Sequence, residues 1–546
     1  MTTHDASCRR VGLLATAMAM AIACGGDPRS DAFNSSSAGH GSTGTAADAD
    51  GSAGSGGEAA GGPASATVAD SGNDGLGSDG GAPVLDVGAG DGGGVVPTQC
   101  DELEASETTV GCTFFAVDLD QTGIFENQQF AVVVSNVQAG VAAEVVVERR
   151  DAGAWVTVDG PVQVPAMQLH TFALPNLVQQ GSGIRAGGAY RVRASVPIIA
   201  YQFNPLVMGW WSSDASLLYP LEAWDTLVDV VHWGEGSGRG SITIVAAVDG
   251  TQVSVRPTTA TTGAGGVPPG VAGGTFMLTL DEGDIAQVAV ATENASLTGT
   301  RVESDQPIAV FTGHECAFVP GDKYACDHLE EQMAGLRQWG KQFVAARVPP
   351  RLPSSPERSL WQIYASEDGT TIAFDVPAGV TGVPAGPLQL DAGELAQFYV
   401  AGNAAAPGDF FVDADKPIAV FNYMTGYEDI SPPTMLGDPA MLQHAGIEQF
   451  LDRYVLLVPS EWTWDFLVIT RPEGAGVQVD GVAVDDAAFV PAGGGFEVAR
   501  VQVEDGVHDV AGDAPIGVAV VGYDTADSYA YLGGGGTGLI NPTPAG

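Results

Sequence analysis

The sequence predicts an all-β protein made of tandem β-sandwich-like modules joined by short helical connectors. Three observations predict it. A Pro-led apolar strand recurs four times: Pro197-Ile198-Ile199-Ala200-Tyr201, Pro307-Ile308-Ala309-Val310-Phe311, Pro417-Ile418-Ala419-Val420-Phe421 and Pro515-Ile516-Gly517-Val518-Ala519-Val520. These prolines stand about 100–110 residues apart, a period of module size rather than solenoid size. Around each copy, short apolar runs alternate with Gly/Asp turns every ~8–15 residues, the pattern of a sandwich or barrel. A propeller-like closed ring of β-sheets is the alternative architecture, because a repeated strand set with fixed connectors can also close.

The elements follow in chain order. Arg9-Arg10 precede a short apolar run, Val11 to Ile22, which is too short to span a bilayer and reads as a signal peptide over 1–23. It ends in Ala21-Ile22-Ala23-Cys24, a lipobox-like site that predicts a diacylated Cys24. An ordinary signal-peptidase cut, giving a secreted chain, is the alternative. Residues 24–98 are then a lipid-bearing Cys and a Gly/Ala/Ser/Asp tract. With almost no large apolar side chains, such a tract cannot offset its chain entropy and is expected to be disordered. As a flexible coil it would reach on the order of 40–50 Å. No later stretch is apolar enough to span a membrane.

The remaining length suits several cores rather than one. The expected modules are 99–212, 213–325, 326–436 and 437–546. In the second and third, a strand, an Asp-Gly turn and a second strand recur: Ile242 to Val248, Asp249-Gly250, Val253 to Val255; and Trp361 to Ala365, Asp368-Gly369, Ile372 to Phe374. Asp-Gly between apolar runs predicts a hairpin, since a type I′ turn needs positive φ at its centre. An acidic or small-residue turn follows in each, at Asp281 to Asp284, Asp391 to Glu394 and Pro491 to Gly493. In the Pro strand, Ile308 and Val310 share one face, and Ala309 and Phe311 the other. Apolar residues on both faces predict a strand covered on both sides. Pro is tolerated at its first position, before the ladder begins. Each connector begins with Asp before a short apolar run (Asp214-Ala215-Ser216-Leu217, Asp327-His328-Leu329, Asp438-Pro439-Ala440-Met441-Leu442) and reads as an N-cap and one or two helical turns. An aromatic follows: Trp224, Trp339 or Phe450.

Cysteine usage agrees with export. Cys8 leaves with the signal and Cys24 takes the lipid, which leaves Cys100, Cys112, Cys316 and Cys326. Three connectivities are formally open, and local pairing, Cys100 with Cys112 and Cys316 with Cys326, is the simplest. The alternative for the second pair is a zinc site with His314 and His328. No cofactor is expected; Ca²⁺ would suit the acidic chain but has no assignable site.

The net charge of −45 argues against nucleic acid and anionic membrane surfaces as partners. Catalytic motifs are missing from the sequence: there is no Gly-x-Ser-x-Gly elbow in the folded part and no His-Glu-x-x-His. Gly533, Gly535 and Gly538 satisfy a G-x-G-x-x-G spacing, but no βαβ unit follows. The best binding candidate is the loop carrying Trp210 and Trp211, because exposed Trp is a frequent recognition anchor. Trp462 and Trp464 alternate along a strand and read as core.

Several stretches carry a resemblance. Tyr201-Gln202-Phe203-Asn204-Pro205 followed by Ser213 to Leu218, Gly299-Thr300 to Gly313-His314, Cys316 to Gln332 with its Cys-Asp-His-Leu-Glu-Glu-Gln segment, and Trp339-Gly340-Lys341 resemble the N-terminal domain of the IgGFc-binding protein family. The resemblance covers most of 99–546. It implies an extracellular binding or adhesion module, here in a bacterial surface lipoprotein form, and supplies no catalytic residues. The expected function is therefore a non-catalytic, lipid-anchored head on the outer membrane that takes an extracellular protein or glycan ligand. The alternatives are a structural envelope or matrix component without a discrete ligand and, more remotely, a secreted hydrolase.

Overall fold

In a computed structural model of the chain, residues 97–105, 107–206 and 212–544 are described. They fold into antiparallel strands joined by turns, loops and short 3₁₀ segments. The signal segment, Cys24, the tether and the Trp210-Trp211 loop lie outside the described residues.

The Pro strand is the backbone of each strand set. Three of the four copies sit inside one long strand: Tyr190–Asn204, Arg301–Ala317 and Gly506–Asp524. In the third set the strand is divided into Phe410–Ala414 and Ile418–Met424, with Pro417 in the gap. Pro is thus at a bend in mid-strand and not at a first position. The first half pairs with one sheet and the second half with another. Arg301–Ala317, for example, pairs Asp225–Asp229 and Thr251–Arg256 before Pro307, then Gly240–Ala246 and Asp327–Gln332 beyond it. The register shifts at the same place, between Glu303 and Ile308. A strand that changes sheets at a bend makes the corner of a sandwich, and Pro removes no ladder bond where pairing is already interrupted.

The third set shows the resulting sandwich most plainly. Gln342–Ala345, Phe410–Ala414, Thr370–Asp375 and Leu388–Leu390 form one sheet; Leu395–Val400, Ser359–Ala365, Ile418–Met424 and Ala440–Gln443 form the other. Between them lie Trp361, Ile363, Ile372, Phe410, Val412, Ile418 and Val420. Ala419 and Phe421, on the opposite face of the Pro strand, are buried in a different cluster shared with neighbouring sets. Both faces of that strand are covered, as its composition predicts.

The Asp-Gly turns carry the expected positive φ, +75° at Gly250 and +64° at Gly369. They do not close hairpins. The strands on either side of Asp249-Gly250 pair with opposite halves of the long strand, so the turn crosses between sheets. The acidic turn that follows crosses back, and the two turns exchange bonds. Gly250 donates to Asp281 Oδ1 (3.0 Å) and Glu282 donates to Asp249 Oδ1 (3.0 Å). In the third set, Gly369 donates to Asp391 (2.9 Å) and Ala392 to Asp368 (3.0 Å). Each aspartate satisfies an amide that the other turn would leave open.

The Asp-led runs read as helical are strands: Asp214–Leu217, Asp327–Gln332 and Ala440–Gln443, joined in the fourth set by Asp527–Leu532. The helical turn of the connector comes later, at Leu221–Ala223, Leu336–Gln338 and Ile447–Gln449, just before Trp224, Trp339 and Phe450. Each Asp-led strand pairs back onto the long strand preceding it. The strand sets therefore extend past residues 212, 325 and 436.

These four inner strands pack side by side in a cycle. The first touches the second, the second the third, the third the fourth, and the fourth the first. The sets thus close into a ring, the feature that defines a propeller, while each remains sandwich-like. The chain ends complete the closure. Thr109 donates its amide to Gly535 O (3.0 Å), and Thr537 donates its amide to Glu107 O (2.8 Å). Tyr201 of the first set packs against Tyr531 of the fourth with ring centroids 4.6 Å apart.

Candidate binding site

The inner strands place a polar hub on the ring axis. Asp214, Asp327, Asp438 and Asp527 occupy equivalent positions at or just before the start of the four strands, and all are buried. Asp214 Oδ2 accepts the amides of Glu330 (3.2 Å) and Met441 (3.3 Å), and its Oδ1 accepts that of Ala530 (3.3 Å). One carboxylate therefore ties the first inner strand to the other three. Burial pushes the Asp214 carboxyl well above its usual range, while the backbone amides pull it back down. Burial first, and then the neighbouring carboxylates, push Asp327 up. Asp438 is raised by burial although Arg351 opposes it, and burial lifts Asp527 to about 7. Glu330 and Glu331, on the second inner strand, are raised by burial as well.

The loops entering the inner strands form a crown at one end of the ring. Each loop is bonded to the next around the cycle. The amide of Ser213, at the end of the first loop, donates to Asp327 Oδ1 (2.5 Å). Gly426 in the third loop donates to Val319 O in the second (2.7 Å). Ala526 in the fourth donates to Met435 O in the third (2.9 Å). Ser213 Oγ closes the circle onto Asp527 Oδ1 (2.6 Å).

Large apolar side chains are exposed on this crown. Tyr324 in the second loop is 74% exposed, Met435 in the third 50%, and Trp464, whose register partner is Tyr523 beside the fourth loop, 41%. Trp464 is thus a correction to its reading as core. It is the first residue of its strand, and only Trp462 turns inward, against Tyr529. Tyr324 and Met435 were not singled out by the sequence; the flanking Cys316 and Cys326 were the available signal for the first. The Trp210-Trp211 loop runs from Leu206 to Ser212, so its described ends belong to the crown although the tryptophans themselves lie outside the described residues.

Both cysteine pairs are local. Cys100 is bonded to Cys112, with Cα atoms 5.8 Å apart, and Cys316 to Cys326, with Cα atoms 5.0 Å apart. Neither Cys316 nor Cys326 is then available as a thiolate. His314 Nδ1 accepts the Cys316 amide (3.0 Å), and His328 is buried beside Glu330, 3.6 Å away. Burial depresses these imidazoles to about 4 and about 3, which keeps them neutral. Among the described residues, no three His, Cys, Asp or Glu side chains are grouped to hold a metal ion. A cavity of about 400 Å³ lies between the first two 3₁₀ connectors and the C-terminal tail. Its charged lining pair, Arg337 and Asp225, is already joined (2.5 Å). Among the described residues, no helix is long and apolar enough to cross a membrane.

Fold and site define an all-β ring of sandwich-like strand sets with Tyr324, Met435 and Trp464 exposed at one end. The family model described as IgGFc binding protein matches residues 214–522, and the chain belongs to that family. The human protein named IgGFc-binding protein is 25% identical over 339 residues, 61% of this chain and 6% of its own length. The chain therefore spans only a small part of that relative. No solved structure matches.

Proposed function

We propose that this chain is a non-catalytic head that binds an extracellular protein through the loop crown. In this reading a lipid on Cys24 anchors the head to the outer membrane, and residues 24–98 hold it off the surface. The single observation that carries the binding role is the exposure of Tyr324 and Met435 on loops bonded into one circle, with Trp464 exposed at the strand end beside it. Large apolar side chains of the inner strands themselves are buried, and exposed aromatics on a fixed scaffold make low-entropy anchors. The human relative's name states a binding partner, the Fc part of IgG, which makes Fc the first defined probe.

The test is retention of Fc, and of a labelled mixture of extracellular proteins, on beads carrying the full chain. A variant with Trp210→Ala, Trp211→Ala, Met435→Ala and Trp464→Ala should retain at least tenfold less protein at an unchanged unfolding midpoint. Equal retention by the variant would remove the crown from the account.

A further inference from the structure

The crown is not uniform. Where its second and third loops meet, aromatic rings and carboxylates are interleaved. Tyr324 stands in the loop closed by Cys316 and Cys326, just beyond its turn at Gly321-Asp322. Its amide donates to Glu428 Oε2 (3.2 Å) across the loop junction. Phe318 lies 6.2 Å from it between ring centroids, and Tyr427 is near enough to feel both Tyr324 and Glu428. Asp322 and Glu428 are exposed, and among the described residues neither is paired with a Lys, Arg or His.

The same junction already displays the chemistry that such a patch favours. Arg358 lies 4.1 Å above the Tyr399 ring and donates to both oxygens of Asp429 (2.8 Å each). One cation there is shared by an aromatic face and a carboxylate. Tyr324, largely exposed, and Glu428, which accepts its amide, bring a second aromatic ring and carboxylate to this junction, and among the described residues neither is paired with a Lys, Arg or His. The loop is also held still. The disulfide limits the loop's freedom, and Trp233 Nε1 donates to Phe318 O (2.9 Å) at the loop base. The Phe318 amide donates in turn to Glu235 O (2.9 Å). Ordering costs on binding are therefore small.

Resting on the crown as the binding surface, we propose that the Tyr324–Glu428 junction receives a lysine or arginine side chain from a basic segment of the partner protein. The cation sits over the Tyr324 ring and against the Glu428 carboxylate. Cation–π contact and a partly exposed ion pair each favour the bound cation several-fold. Together they correspond to a preference of about tenfold or more.

The probe is a fluorescein-labelled octalysine peptide titrated into the full chain at about physiological salt, where diffuse attraction to a −45 chain is screened. Octalysine binding should weaken about five- to tenfold in Tyr324→Ala and in Glu428→Gln. It should be kept in Tyr324→Phe, which retains the ring, and in Glu473→Gln, which removes one exposed charge from a turn of the fourth set. Equal weakening by Glu473→Gln, or none by Tyr324→Ala, would show only diffuse charge attraction and overturn the assignment. Failure of native chain to bind octalysine would overturn it too, whereas loss of Fc or extracellular-protein retention in the crown variant would still support the crown itself.

Discussion

The Asp214 carboxylate on the first inner strand accepts the amide proton of Ala530 on the fourth, 3.3 Å away and 316 residues further along the chain. The same side chain accepts from Glu330 and Met441 on the strands between. Strand sets that are far apart in sequence are thereby tied together at their inner strands by one acidic residue.

Asp214→Ala should consequently lower stability by about 3–9 kcal/mol. It leaves three buried amides on three strands without acceptors, at ~1–3 kcal/mol each. Urea unfolding of the mutant and native chains measures the difference. A loss below ~1 kcal/mol would mean that water replaces the carboxylate and that the hub is not structural.

Stability should fall as pH rises from 6 to 8. Unfolded carboxyls lose their protons near pH 4, but Asp118, Glu315, Asp465 and Asp527 keep theirs to about 7 in the fold, and burial raises the other hub carboxyls well above their usual range. Across that window the folded state binds more protons than the unfolded one, so raising pH costs stability, by ~1.4 kcal/mol per pH unit for each proton held only in the fold. His232, His314, His328 and His444 work in the opposite sense. Burial lowers them to about 3 or 4, so their contribution is present above pH 6.5 and is lost as pH falls. The raised carboxyls outnumber them. Thermal unfolding midpoints across pH 6–8 give the sign, and Asp527→Asn, which keeps an acceptor for Ser213 Oγ, should flatten the slope. A midpoint that rises with pH would contradict protonated hub carboxyls.

The proposed lipid on Cys24 has its own measurement. Cells expressing the native chain should incorporate labelled palmitate into it, and Cys24→Ser should not. Labelling retained in the mutant would place the attachment elsewhere.

Much of the fold is legible in the sequence because burial on both faces leaves its mark on a strand. Ile418 and Val420 face one core and Ala419 and Phe421 another, and the alternation shows both. The inner strands are not legible in the same way. Asp followed by a few apolar residues describes a capped helical turn as well as a short buried strand, and only pairing to the preceding long strand decides between them. The Asp-Gly turns declare their positive φ but not their partners, because the choice between hairpin and sheet crossing rests on a strand some 50 residues later. Closure of the ring is invisible for a related reason: a bond such as Asp214 to Ala530 has no local pattern. The crown was half legible. Adjacent tryptophans and a cysteine pair drew attention to two of its loops, whereas Met435 and Trp464 acquire meaning only from the exposure that the fold gives them.

The central claim is that ligand contacts are made at the crown, and site-directed photo-cross-linking tests it most directly. A benzophenone amino acid is placed at Tyr324, Met435 or Trp464, and separately at Val482, an exposed apolar residue on the edge strand Val482–Ala483 of the fourth set. After exposure to extracellular protein and illumination, the three crown positions should form covalent adducts with the same partner, and Val482 should form none. Adducts at Val482 equal to those at the crown, or none at any crown position while the chain still retains partner, would contradict the account.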